Sequence, residues 1–163
     1  MKRYNHYLAA LSLAIALPVA AAPVVGISSG DTLTIAEGTQ TRQIRLAYIA
    51  APELRQPHAT QSRQSLSQLC MGKNAQYDIL ATNRQKQAIA IVHCNGINAN
   101  RHQVANGMAW VYDKTNQDDA LPGLQEKARK ARIGLWKDNI VTPPWEFKRR
   151  GFIGRLDGKS NTE

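Results

Sequence analysis

Between Val24 and Ile49 the chain sets down three short apolar segments, each separated from the next by a turn. This pattern constrains the fold more than any other feature. Val24 to Ile27 is a strand candidate, and Ser28-Ser29-Gly30 turns the chain. Asp31 opens a second strand, in which Leu33 and Ile35 share a face at period two. Glu37-Gly38-Thr39 reads as a hairpin turn. Gln43 to Ile49 alternates again, with Ile44, Leu46 and Tyr48 on one side and Arg45, Ala47 and Ile49 on the other. Pro52 ends that strand. Segments this short cannot bury a core singly, so they must pair into a sheet that curls or is covered.

The remainder alternates helix and strand. Pro57 suits the start of a helix whose apolar face is Ala59, Leu66, Leu69 and Cys70, with Gly72 at its end. Asn74 to Ala81 and Gln87 to His93 read as two more strands, and Asn95-Gly96 is a tight-turn signal. A short helix from Ala99 to Asn106 ends at Gly107, and Met108 to Tyr112 is extended. Asp118 or Asp119 caps a last helix lined by Leu124, Ala128 and Ala131, and Gly134 stops it. Pro143-Pro144-Trp145 ends the ordered part, and residues 151–163 form a polar, flexible tail. Five short strands with helices between and after them describe a mainly β protein with helices, of the α+β class. The obvious candidate is an OB-fold five-stranded β-barrel with about three packed helices, although other α+β folds share this element order.

The 163 residues suit one domain, once a leader is subtracted. Lys2 and Arg3 precede an apolar run, Leu8 to Leu17, which is too short to span a membrane. Pro18 and a run of small residues follow. This order is that of a signal peptide, residues 1–21, with cleavage after Ala21; the alternative is a buried N-terminal helix. It predicts a periplasmic or secreted protein with no stable membrane anchor after cleavage. The formal charge of +9 falls by the 2 cations of the leader to +7. Such a balance attracts polyanions, though it also fits a soluble protein with solvated Lys and Arg. The two cysteines, Cys70 and Cys94, are then in an oxidising compartment, where a disulfide is the leading reading and two buried thiols the alternative. Two cysteines and scattered histidines are too few for a closed zinc site.

Three residues beside apolar strands carry possible phosphate chemistry. Asp31 can hold a metal, Arg45 can hold a phosphate, and Glu53 can order water. Each has a plainer reading. Asp31 can cap a turn, and Arg45 and Glu53 can form a structural ion pair or a solvated face. Trp110, Trp136 and Trp145 read as packing residues rather than base-stacking platforms, and His58, His93 and His102 as surface or packing residues.

From Val24 to Arg150 the chain resembles the thermonucleases (staphylococcal-nuclease-like), in particular the secreted members of Gram-negative bacteria. The carriers in the first half are Ser29-Gly30-Asp31-Thr32-Leu33, the run Ile44 to Glu53, Gln56-Pro57, Leu69 to Lys73 and His93 to Asn100. Gln103-Val104, Gly107 to Tyr112, Gly134-Leu135-Trp136 and Pro143 to Phe147 follow. The resemblance implies an OB-fold with three helices, Ca²⁺-dependent hydrolysis of DNA and RNA, and a disulfide between Cys70 and Cys94. It gives Asp31 a metal-binding role, Arg45 the first phosphate-binding role and Glu53 the water-orienting role. It also exposes departures. Ala50 stands where the family has its second metal-binding aspartate. The family's Asp-Arg-Tyr-Gly-Arg loop aligns with Asn83 to Gln87, so Gln87 replaces the second phosphate-binding arginine and Gln85 the tyrosine. Ser29 stands for a further aspartate, and Arg84 and Lys86 start from different strand positions than the lost arginine. The expected function is therefore a secreted thermonuclease-like protein with impaired phosphodiester hydrolysis, using Ca²⁺ if active and partnering nucleic acid. The alternative is a non-catalytic OB-fold module that binds nucleic acid or a protein.

Overall fold

The structure is a computed structural model and describes residues 21–157. The leader reading, apart from Ala21, and the last six residues of the tail lie outside that range. The strands are β1 (Ala21–Ser29), β2 (Thr32–Glu37), β3 (Gln40–Leu46), β4 (Ile49–Ala50), β5 (Asn74–Thr82), β6 (Ala88–Cys94), β7 (Ile97–Asn98) and β8 (Trp110–Val111). The helices are α1 (Ala59–Cys70), α2 (Ala99–Ala105), α3 (Ala120–Lys130), a 3₁₀ turn (Gly134–Lys137) and α4 (Pro144–Asp157).

Five strands close into a barrel. The sheet order β3-β2-β1-β5-β6 is antiparallel throughout, and a parallel pairing of β6 with β3 joins its two ends. Closure removes the edges that a small open sheet would expose. The α+β class and the five-stranded barrel read from the sequence are what the chain forms. The period-two pattern sends Val24, Leu33, Ile35, Ile44, Leu46 and Val92 inside, where all are buried. Burying side chains of this size contributes about 1.5–3 kcal/mol each. Leu66, Leu69 and Cys70 of α1 and Val104 of α2 join the same core. The Cys70–Cys94 disulfide is present and ties the end of α1 to β6. Closing that loop stabilises by roughly 3 kcal/mol on the chain-entropy account.

Two local expectations change. The third strand does not run to Ile49. It stops at Leu46, and Tyr48 takes the left-handed conformation with φ 65°. The chain thereby turns out of the barrel, and β4 pairs instead with β8, Ile49 opposite Val111 and Ala50 opposite Trp110. Ile49 is therefore buried with Leu46 rather than on the opposite face. Secondly, Pro143-Pro144-Trp145 does not end the ordered part but begins α4. Proline fits the first turn of a helix because its missing N–H has no partner there anyway. The expected loose tail falls partly on α4 and partly outside the described residues. Of the two possible caps for α3, Asp118 does the work: its Oδ1 accepts from Ala120 N at 3.0 Å while the carboxylate also pairs with Arg101.

Candidate functional site

The Ser29-Gly30-Asp31-Thr32 corner joins β1 to β2 and lies against α1. A Cβ added at Gly30 would come within 1.7 Å of Ser62 Oγ and 2.7 Å of its Cβ, so only glycine lets α1 seat there. Gln103 of α2 secures the corner from below. Its Nε2 donates to Gly30 O at 2.6 Å and Ser62 O at 3.0 Å, and its Oε1 accepts from Ser65 Oγ. Asn100, one turn earlier, holds the turn after β3: its Nδ2 donates to Ala47 O at 2.9 Å and to Ala90 O, and its Oδ1 accepts from Val92 N. Both amides are fully buried. The sequence reading names both only among the residues that carry the resemblance and gives them no structural role. The one signal was their position: in the helix spelled ANRHQVA they share a stripe with Val104, at helical spacing, so polar side chains occupy the core face.

Asp31 is 7% exposed and all its carboxylate capacity is turned inward. Oδ1 accepts from Ser29 Oγ at 2.6 Å and Thr32 Oγ1 at 3.1 Å. Oδ2 accepts from Ala51 N at 3.1 Å and Arg45 Nη2 at 3.3 Å. Arg45 sits on β3 opposite Thr32, which is why its guanidinium reaches Asp31. From there Arg45 faces a cleft of about 370 Å³. Glu53 and Ala50 line the same cleft, together with Tyr48, Gln85, Tyr112, Trp145 and Lys148. Glu53 is held by Lys148 Nζ at 3.0 Å, and its backbone N–H donates to Gln56 Oε1. Gln56 in turn donates to Thr142 O, which ties the loop after β4 to the segment before α4.

The expected trio is thus brought together in part. Arg45 and Glu53 share the cleft, and Asp31 stands behind Arg45. Of the departures, Ala50 puts a buried methyl group at the cleft wall. Gln87 is engaged elsewhere: its Nε2 donates to Gln43 Oε1 at 2.9 Å and its Oε1 accepts from Asn83 Nδ2 at 3.0 Å. Asn83 also accepts from the backbone N–H groups of Gln85 and Gln87, so this loop is a self-contained turn.

The residues present do not fit a Ca²⁺ centre. That ion takes six to eight oxygens, carboxylates foremost. Here one carboxylate is available at the corner, and four donors already engage it. Among the described residues no three His, Cys, Asp or Glu side chains are placed to share a metal. What the cleft offers instead is a guanidinium, an ammonium, one carboxylate and aromatic surface. Of the three tryptophans read as packing residues, Trp110 and Trp136 are buried, but Trp145 is 41% exposed. Its ring meets Tyr112 edge-on, with centroids 5.6 Å apart. His58, read as a surface or packing residue, bonds Asp138 at 2.7 Å.

A five-stranded barrel of this topology, with a cleft at the β3–β4 turn, defines an OB-type protein. Residues 43–138 match the family described as staphylococcal nuclease homologue, and the chain belongs to that family. It is 34% identical over 128 residues to an "uncharacterized endonuclease" of Escherichia coli O157:H7, covering 78% of this chain and 84% of that protein. A protein of the same printed name from Haemophilus influenzae is 37% identical over 128 residues, covering 78% and 72%. A "micrococcal nuclease" of Shigella flexneri is 30% identical over 155 residues, covering 86% and 89%. The chain is nuclease-like in both fold and kinship.

Proposed function

We propose that this chain is a periplasmic or secreted nucleic-acid-binding protein on a nuclease scaffold, with strongly impaired metal-dependent phosphodiester hydrolysis. The observation that carries the reading is the Asp31 corner. Its single carboxylate is engaged by Ser29, Thr32, Arg45 and Ala51, and the cleft that Arg45 faces has Ala50, not a second carboxylate, in its wall. Hydrolysis of a phosphodiester needs an oriented water and fixed positive charge where negative charge builds on phosphorus. Arg45 and Glu53 retain one group for each task. Ala50 and Gln87 supply neither the second carboxylate nor the second arginine. A transition-state arginine is worth about 10³ to 10⁵ in rate in phosphoryl transfer. The two losses need not multiply, since such groups act as a unit.

Binding depends on less. It needs positive charge and flat apolar surface, and both remain in Arg45, Lys148, Tyr112 and Trp145. The mature charge of +7 and relatives named endonuclease and micrococcal nuclease support nucleic acid as the polymer. The leader at residues 1–21 and the Cys70–Cys94 bridge support an oxidising compartment.

The test uses the purified mature chain with single-stranded DNA and RNA in Ca²⁺, Mg²⁺ or EDTA. Binding is expected in all three, with little or no cleavage. Rapid cleavage that EDTA abolishes and Glu53→Gln removes would refute the impairment. Failure to bind either polymer at low salt would refute the binding role.

A further inference from the structure

Helix α4 brings two side chains into the cleft that the phosphate motifs of the barrel do not account for. Trp145 and Lys148 are three residues apart, so they project from one face of the helix. Both line the cleft that Arg45 and Glu53 line from the barrel side. Lys148 Nζ lies 3.0 Å from Glu53 Oε1, and the two side chains are 63% and 31% exposed. A pair this open to water is weak, so another anion can take the ammonium at little cost.

We infer that Lys148 is the second phosphate-binding cation of this cleft, exchanging Glu53 for a phosphate when single-stranded nucleic acid enters. Trp145 beside it offers the adjoining base a ring to stack on. The inference rests on the nucleic-acid binding proposed above. The lining charges argue for it. Among the described residues the Arg and Lys side chains lining the cleft are Arg45 and Lys148, and the carboxylate lining it is Glu53. Arg45 is already shared with Asp31 behind it. Lys148 is thus the lining cation that Asp31 does not engage. Gln87 cannot take the role, being uncharged and bonded to Gln43 and Asn83. Trp145 is placed to stack because Tyr112 braces it edge-on and leaves a ring face free of that contact.

The experiment is fluorescence anisotropy of a short fluorescein-labelled single-stranded oligonucleotide with the mature chain, in EDTA, across a salt series. Lys148→Ala is expected to weaken binding several-fold at low salt and to lower the slope of log K against log salt by about 0.7. Lys148→Arg should keep both. Glu53→Gln should tighten binding, because it frees the ammonium and removes a repulsive carboxylate. A lysine that merely anchors α4 predicts a different result: Lys148→Ala and Glu53→Gln would then weaken binding together. That outcome, or an unchanged slope in Lys148→Ala while the wild type binds, overturns the inference alone. No binding by the wild type overturns the nucleic-acid reading and takes this inference with it. Trp145 gives an independent readout. Trp110 and Trp136 are buried, so intrinsic fluorescence quenching on adding unlabelled oligonucleotide should be lost in Trp145→Phe.

Discussion

Replacing Asn100 by leucine tests whether the cleft rests on its buried amides. The side chain is fully buried and makes three hydrogen bonds, to Val92 N at 3.0 Å, Ala47 O at 2.9 Å and Ala90 O at 3.2 Å. Ala90 O keeps a second donor, Ala47 N at 2.8 Å. Leucine therefore orphans two groups, the Val92 N–H and the Ala47 carbonyl. It also fills the space, so water is not admitted to replace the amide. Each orphaned buried group costs about 1–3 kcal/mol, which sums to about 2–6 kcal/mol. Against a total of about 5–15 kcal/mol, this is a large fraction. Urea unfolding of the oxidised mature chain, followed by far-UV circular dichroism, should show the midpoint falling at unchanged slope. Oligonucleotide affinity should fall too, because Ala47 precedes the Tyr48 turn that faces the cleft. A loss of less than about 1 kcal/mol would refute the accounting, because two orphaned buried groups cannot cost so little.

Two further predictions concern the site and its surroundings. Ala50→Asp combined with Gln87→Arg should restore Ca²⁺-dependent cleavage of single-stranded DNA, measured by release of acid-soluble nucleotides; a folded double variant with no gain means the mouth has diverged beyond these two positions. Burial lowers the His102 pKa from its ordinary 6.5, so the folded state resists its protonation. The unfolded chain then binds more protons as pH falls below about 6.5, and stability decreases through that range until the folded-state pKa is passed. His102→Gln should flatten this part of the stability profile, measured as urea midpoints against pH, and an unchanged profile would exclude His102 as its source.

The barrel was legible because its strands announce themselves twice, by period-two burial and by turns. Leu33 with Ile35 and Ile44 with Leu46 go where alternation sends them. The break at Tyr48 was not legible, because Arg45 to Ile49 continues the alternation through a residue that no glycine marks. Only the pairing of β4 with β8, some 60 residues onward in sequence, explains why the strand must turn there. Arg45 and Glu53 could be read as partners for phosphate chemistry, since residue type and resemblance both point that way. Lys148 and Trp145 could not, because in sequence two prolines signal an end of order as readily as a helix start. Asp31 could be singled out by residue type, but its four internal donors come from three separate segments, which the sequence does not join.

The corner and the mouth place different demands on their residues. Gly30, Asn100 and Gln103 each meet backbone or side chains of other segments at close range, so changing any of them disturbs the fold itself. Ala50 contributes only a buried methyl group at the cleft wall, and Gln87 bonds Gln43 and Asn83 near the surface rather than in the core. An aspartate in place of Ala50 or an arginine in place of Gln87 would serve a ligand at the mouth, and the barrel closes without either. Substitution at Ala50 or Gln87 can therefore leave the geometry of the corner beneath unchanged. The role proposed for Lys148 and Trp145 falls at the mouth, on α4, where both are exposed enough to change partners without disturbing the core. On the function proposed above, the chain keeps the polymer and loses the cut. Measuring binding and cleavage in the same samples separates the two.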